Sequence, residues 1–200
     1  MFDWITGFME AGGYSALFVL MLVENLFPPI PSEVIVPLAG FTAARGDLSF
    51  WVVVFVATLG SVAGATFWYF VGRAFGFHRV KYLAGSRFGR VMTVTAGEVD
   101  DAADWFARYG SLSVLVGRVV PTVRTLISVP AGIVAMPLLK FLAYSAVGSV
   151  AWVLLLASGG YLLADQYDRV EGWVNPVSNA VVAVMVGWYL YRVVTFRAER

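Results

Sequence analysis

The stretch Glu24-Asn25-Leu26-Phe27-Pro28-Pro29-Ile30-Pro31-Ser32-Glu33 sets three prolines and two carboxylates inside an otherwise apolar region, 11–44. Proline lacks a backbone N–H and its ring collides with the preceding turn, so a helix climbing through 11–27 must end here. The returning arm, 32–42, is about 16 Å long at the helical rise, too short for a bilayer's hydrocarbon core. Ser32 ahead of Glu33 suits an N-cap, and Gly40 followed by Thr42 and Arg45 suits an exit. The expectation is a re-entrant hairpin over 11–44. A second region, 111–137, is built the same way: Pro121 breaks it, Pro130, Gly132 and Pro137 loosen its return, and its leading arm is also short of a crossing. Pro28, Pro29, Pro31, Gly40, Gly117, Pro121, Pro130 and Gly132 are read as the hairpin-breaking positions.

The surroundings of these hairpins favour a membrane as solvent. The chain is 60% hydrophobic and only 14% charged, and its mean hydropathy is strongly positive, outside the range of soluble domains. The windows 48–72, 141–164 and 172–191 contain no Asp, Glu, Lys, Arg or His, and each is long enough to span. A net charge of +1 excludes the basic field that nucleic acid demands. No cysteine is present, which removes disulfides, thiol nucleophiles and thiolate metal sites. Residues 1–10 hold Asp3 and Glu10 but no Lys or Arg, so the positive region of a cleavable signal peptide is missing and the segment is expected to be retained.

Each hairpin is followed by an uncharged window, and both windows hold the tetrapeptide Gly-Ser-Val-Ala, at 60–63 and 148–151. The entries also rhyme, Gly13-Tyr14-Ser15 against Tyr109-Gly110-Ser111. A repeat of hairpin plus spanning helix follows. Each copy makes one net crossing, so the second is inverted relative to the first, and the two hairpins point inward from opposite faces. Between the copies, 73–108 carries Arg73, Arg79, Lys81, Arg87, Arg90 and Arg108, which the positive-inside rule assigns to the cytoplasm. Within it Thr95 and Glu98 form a capping box, Asp100, Asp101 and Asp104 favour a helix start, and Val99, Ala103 and Phe106 share a face. Arg192, Arg197 and Arg200 place the C-terminus on the same side, with Asp165, Asp168 and Glu171 outside. The predicted fold is all-α: an inverted repeat of re-entrant hairpin plus transmembrane helix, a C-terminal transmembrane helix and a cytoplasmic amphipathic segment.

The chemistry-bearing residues are the ionisable groups in these hairpins: Glu24 and Glu33 in the first, Arg118 and Arg124 in the second. A charge near the bilayer centre costs about 2.5–3.5 kcal/mol on insertion scales, so such groups face a cavity, a partner or both. Two acids and two bases can offset each other's desolvation if the hairpins meet. In unbroken helices Glu24 and Glu33 would diverge, as would Arg118 and Arg124, whereas a turn at the prolines can bring each pair to one cavity. Broken arms expose free amides, Arg offers a fork matched to phosphate oxygens, and Glu can bind and release protons. The same four charges would also serve as structural salt bridges. Lys140 reads as an interfacial anchor, the lone His78 as a solvated side chain, Gly60 and Gly64 as a helix-packing face, and Trp51, Trp68, Trp152, Trp173 and Trp188 as interfacial belts.

The run from Glu24 to Glu33, continuing to Pro37-Leu38-Ala39-Gly40, resembles the first signature of the DedA family, also called the SNARE-associated or VTT-domain family. Gly117-Arg118-Val119-Val120-Pro121-Thr122-Val123-Arg124-Thr125, with Pro130-Ala131-Gly132 and Met136, resembles its second. The resemblance implies a bacterial inner-membrane protein with two opposed re-entrant hairpins. It also implies a part in transbilayer lipid movement, notably of undecaprenyl phosphate, and in envelope integrity and proton-motive-force-dependent resistance to cationic peptides. The family's acidic pair maps onto Glu24 and Glu33 and its arginine pair onto Arg118 and Arg124. Some members carry Asp after a Pro-Gly turn where this chain has Glu33 after Pro31-Ser32.

The expected function is a lipid-phosphate flippase in which Arg118 and Arg124 grip the phosphate of a polyprenyl phosphate or phospholipid headgroup. Glu24 with Glu33 then couples protons to alternating exposure. No catalytic residue, metal or cofactor is expected, and no Walker sequence points to ATP. Self-association is compatible with this reading. The rivals are an uncoupled scramblase, a proton-coupled small-ion or drug transporter, and a membrane-embedded phosphatase, for which His78, the single histidine, lies outside the hairpins.

Overall fold

A computed structural model describes residues 2–26, 32–84, 96–119, 124, 127–163, 187 and 191. Every element of length among them is an α-helix: α1 (Phe2–Leu26), α2 (Ser32–Ala44), α3 (Phe50–Ala84), α4 (Ala96–Tyr109), α5 (Leu112–Val119), α6 (Ser128–Ile133) and α7 (Leu138–Leu162). Pro28, Pro29, Pro31, Pro121, the Thr95 of the capping box, and the window 172–191 apart from Gly187 and Tyr191 lie outside the described residues.

α3 and α7 occupy the first two uncharged windows. Their apolar stretches, Phe50–Phe77 and Leu138–Leu162, have 28 and 25 residues, about 42 and 37 Å at the helical rise and more than a hydrocarbon core requires. Trp51, Phe55 and Phe67 on α3 and Leu139, Val147, Leu155 and Leu162 on α7 are each more than half exposed. Water would not tolerate such apolar rows, whereas lipid is a matched solvent for them. The first apolar stretch of α3 closes near Gly76, whose φ of 66° interrupts the helix ahead of the basic residues that follow. Gly13, at φ 51°, interrupts α1 in the same manner. The apolar helices Ala11–Leu26 and Ser32–Ala44 are about 24 and 20 Å long, short of a crossing.

The chain forms two compact units, Met1–Gly64 with Ala146–Ala183 and Ala65–Ser145 with Val184–Arg200. In the first, α1 and α2 pack together with the early part of α3 and the late part of α7. Leu17, Leu20 and Met21 meet Ile35, Val36 and Ala39 over Val53, Ala57, Val153 and Ala157. Lipid tails are as apolar as leucine, so helix association in a membrane depends on close backbone approach rather than on removal from water. Glycine supplies that approach. A Cβ at Gly60 would stand 2.6 Å from the Phe18 carbonyl oxygen, and one at Gly64 would stand 2.5 Å from the Asn25 Cβ. The spacing of these two glycines announced a packing face, and α1 is what packs there. Between α2 and α7 the contact is reciprocal: a Cβ at Gly40 would overlap the Ala157 carbonyl, and one at Gly160 would overlap the Pro37 carbonyl.

The second unit repeats this device. A Cβ at Gly72 of α3 would overlap the Val129 carbonyl of α6, and one at Gly132 of α6 would overlap the Tyr69 carbonyl of α3. Its core is Ala65, Tyr69, Phe106, Val114, Ile127, Ala131, Met136 and Phe141, with Tyr69 and Phe141 stacked at 4.6 Å. α4 touches both α5 and α6, burying Phe106 while Asp101 and Asp104 stay exposed, as an amphipathic helix should.

Four residues expected to break the hairpins sit within helices instead: Gly40 in α2, Gly117 in α5, and Pro130 and Gly132 in α6. Pro130 lies in a first turn, where its missing N–H costs no helical bond. The three glycines are sites of close approach, and an absent side chain does not by itself end a helix.

Candidate functional site

α1 carries Glu24 and Asn25 into its last turn, where both are buried. The Asn25 side-chain amide donates to Glu24 Oε2 at 3.0 Å, to Ser61 Oγ of α3 at 3.1 Å and more weakly to the Met21 carbonyl at 3.4 Å. Ser61 in turn lies 3.4 Å from Ser149 Oγ of α7. These two serines occupy the same position in the two Gly-Ser-Val-Ala copies, so the repeated tetrapeptide meets itself inside the first unit. Buried polar groups inside apolar surroundings need such partners, because each one left without a hydrogen bond costs about 1–3 kcal/mol.

α2 opens with Ser32, which is fully buried, accepts from Trp152 Nε1 of α7 at 3.4 Å and reaches Glu33 Oε2 at 3.5 Å. Trp152, read as a belt residue, therefore ties α7 to the start of α2. The Glu33 side chain is exposed. The two acids thus occupy different surroundings, Glu24 at 3% exposure and Glu33 at the surface.

In the second unit Arg118 ends α5 at 2% exposure and Arg124 follows at 5%. The Arg118 Nη2 donates to Ser128 Oγ, the first residue of α6, at 3.2 Å. Gly117 makes this possible, since a Cβ there would come within 2.8 Å of the Ile127 Cγ1. Nearby, the Tyr69 hydroxyl donates to the Met136 carbonyl and accepts from Arg73 Nη1 at 2.6 Å. Arg73, placed among the cytoplasmic loop charges by its sequence, is therefore also a capping partner for a core tyrosine.

Glu24, Arg118 and Arg124 are thus buried charges, and Glu33 is not. Sequence reasoning passed over Asn25, Ser61, Ser128, Ser149 and Tyr69; of these only Ser61 and Ser149 carried a signal, through the duplicated tetrapeptide. Among the described residues no three His, Asp or Glu gather as a metal site would require. Two surface grooves, one at Phe50, Trp51, Ser158, Tyr161 and Leu162 and one at Trp105, Tyr109, Leu112, Ser113 and Val116, are lined by none of the four charges.

Comparison with known proteins aligns with this picture. The family model described as VTT domain matches residues 30–162. An alkaline phosphatase-like protein of Lactococcus lactis subsp. cremoris is 35% identical over 96% of this chain and 90% of its own length. Undecaprenyl phosphate transporter A of Staphylococcus aureus is 30% identical over 98% and 96%, and that of Bacillus subtilis 27% over 94% and 91%. No solved structure matches.

Proposed function

This chain belongs to the VTT domain family of membrane proteins, and from that premise we propose that it carries a lipid phosphate, undecaprenyl phosphate or a close relative, across the bacterial cytoplasmic membrane. The observation that carries this reading is the burial of Glu24, Arg118 and Arg124 at 3%, 2% and 5% exposure in a chain whose long helices face lipid. Such charges are retained in a bilayer where they serve a pathway. Relatives named undecaprenyl phosphate transporter A, covering nearly the whole chain, supply the substrate class.

In this mechanism Arg118 and Arg124 take the phosphate, each offering a planar fork of N–H donors that suits its oxygens. Ser128 holds the Arg118 fork in register from the far arm. Glu24, buried beside the amide of Asn25, accepts a proton when the headgroup leaves and gives it up when the next one enters. Glu33, at the surface, exchanges protons with its surroundings. The polyprenyl tail stays in lipid throughout, so only the headgroup crosses. The helices 11–26 and 32–44, each too short to span, act as the arms of one re-entrant hairpin, and 112–119 with 128–133 as those of the second. The reciprocal glycine contacts, Gly40 and Gly160 in one unit and Gly132 and Gly72 in the other, support an internal repeat, and opposed insertion of its copies gives the alternating access that transport needs.

The test is movement of undecaprenyl phosphate in proteoliposomes, with and without a proton gradient, for the native chain, Glu24→Gln and Arg124→Ala. Gradient-stimulated movement that both substitutions abolish is the expected result. Movement that survives both substitutions would make the charges structural, and movement indifferent to the gradient would make the protein a scramblase. The name of the lactococcal relative raises a second reading, phosphate-ester hydrolysis, which release of inorganic phosphate from the same vesicles would reveal.

A further inference from the structure

We propose that Asn25 is the positioning residue for Glu24, held in place by the serines of the duplicated tetrapeptide; the inference rests on Glu24 acting in transport as described above. An amide nitrogen has two protons. Three acceptors share them: Glu24 Oε2 at 3.0 Å, Ser61 Oγ at 3.1 Å and, more weakly, the Met21 carbonyl at 3.4 Å. Ser61, which accepts from Asn25, lies 3.4 Å from Ser149 Oγ, and either hydroxyl of that pair can donate. Asn25, Ser61 and Ser149 thus form one buried hydrogen-bonded chain in which each link polarises the next. A glutamate at the end of a helix has three rotatable side-chain bonds; the amide contact selects one placement of its carboxylate.

Asn25 itself has little freedom. It is 1% exposed, and Gly64 lies so close that a Cβ there would stand 2.5 Å from the Asn25 Cβ. That wall rules out outward displacement of the asparagine. Residue type matters as well as place: leucine keeps the branching of asparagine without its donors, and aspartate can donate to Glu24 only while its own carboxyl is protonated. Ser61 and Ser149 thus have a use beyond helix packing: both copies of the tetrapeptide contribute their serine to one buried network that ends on the proposed proton carrier.

The experiment is gradient-driven movement of undecaprenyl phosphate in proteoliposomes, measured against pH and lipid concentration, for the native chain, Asn25→Leu, Asn25→Asp, Ser61→Ala and Glu24→Gln. Folding is followed by monodisperse elution and thermal unfolding. Asn25→Leu is expected to slow the maximal rate about 10-fold or more, the order seen when a supporting hydrogen bond to a functional group is lost. Half-saturation by lipid should stay unchanged, since the arginines bind the headgroup. Asn25→Asp is expected to work only toward acid pH, and Ser61→Ala to fall between it and the native chain. Native rate and native pH profile in both Asn25 variants, with Glu24→Gln inactive, would overturn the positioning role and leave the transport reading standing. A fully active Glu24→Gln would overturn both. Should Asn25→Leu not fold, the pH profiles of Asn25→Asp and Ser61→Ala decide, and two native profiles overturn the inference.

Discussion

Alanine at Gly159 and alanine at Gly160, neighbours in α7, should move the stability of this protein in opposite directions. A Cβ at Gly159 meets nothing within 4 Å, so the substitution acts through the backbone alone and should stabilise by up to about 1 kcal/mol, the helical preference of Ala over Gly. A Cβ at Gly160 would overlap the Pro37 carbonyl oxygen and stand 2.6 Å from its carbon and 2.7 Å from its Cα. All three atoms are backbone of α2, so no rotamer change relieves the clash and the two helices must separate. Overpacking of this kind costs about 1–3 kcal/mol. The two variants should therefore differ by roughly 1–4 kcal/mol, about 2–16 °C in unfolding temperature for a chain of this size. Thermal unfolding of the detergent-purified proteins, followed by helical circular dichroism or by size-exclusion after heating, reads this directly. Equal unfolding temperatures for the two variants would refute the claim that α2 and α7 are joined backbone to backbone at this point.

Further outcomes follow from the same geometry. Glu24→Gln should abolish gradient-driven lipid movement, whereas Glu33→Gln, at an exposed position, should slow it less; comparing the two rates in proteoliposomes checks this, and the reverse order would transfer the main role to Glu33. Ser128→Ala removes the oxygen that receives Arg118 and should cost about 1.5–3 kcal/mol, the range for a hydrogen bond to a charged group, visible as a lower unfolding temperature. Tyr69→Phe keeps the stack on Phe141 but strands the Met136 carbonyl and removes the oxygen on Arg73; a loss of about 1–3 kcal/mol is expected, and an unchanged unfolding temperature would discount that network.

Some of this was legible because it depends on neighbours along the chain. A long window without charge favours a spanning helix through its own composition, and α3 and α7 stand where 48–72 and 141–164 announced them. The spacing of Gly60 and Gly64 marked a packing face before its partner was known. Other features were invisible for an equally physical reason. Glu24 and Glu33 are the same functional group on either side of one break, and only the packing of α1 against α3 buries the first while the second stays exposed. Nothing in the order of residues distinguishes Gly160, pressed on Pro37, from Gly159, which touches nothing.

The sequence by itself determined the solvent, the two long apolar helices and the identity of the charges, since hydropathy and helix length are properties of short segments. The tertiary structure alone decided who meets whom: Asn25 with Glu24 and Ser61, Ser61 with Ser149 across an 88-residue separation, Arg118 with Ser128, and Tyr69 with Arg73 and Met136. Hydrogen bonds and backbone contacts are short-ranged, so they exist only once helices distant in sequence have been brought within a few ångströms of each other.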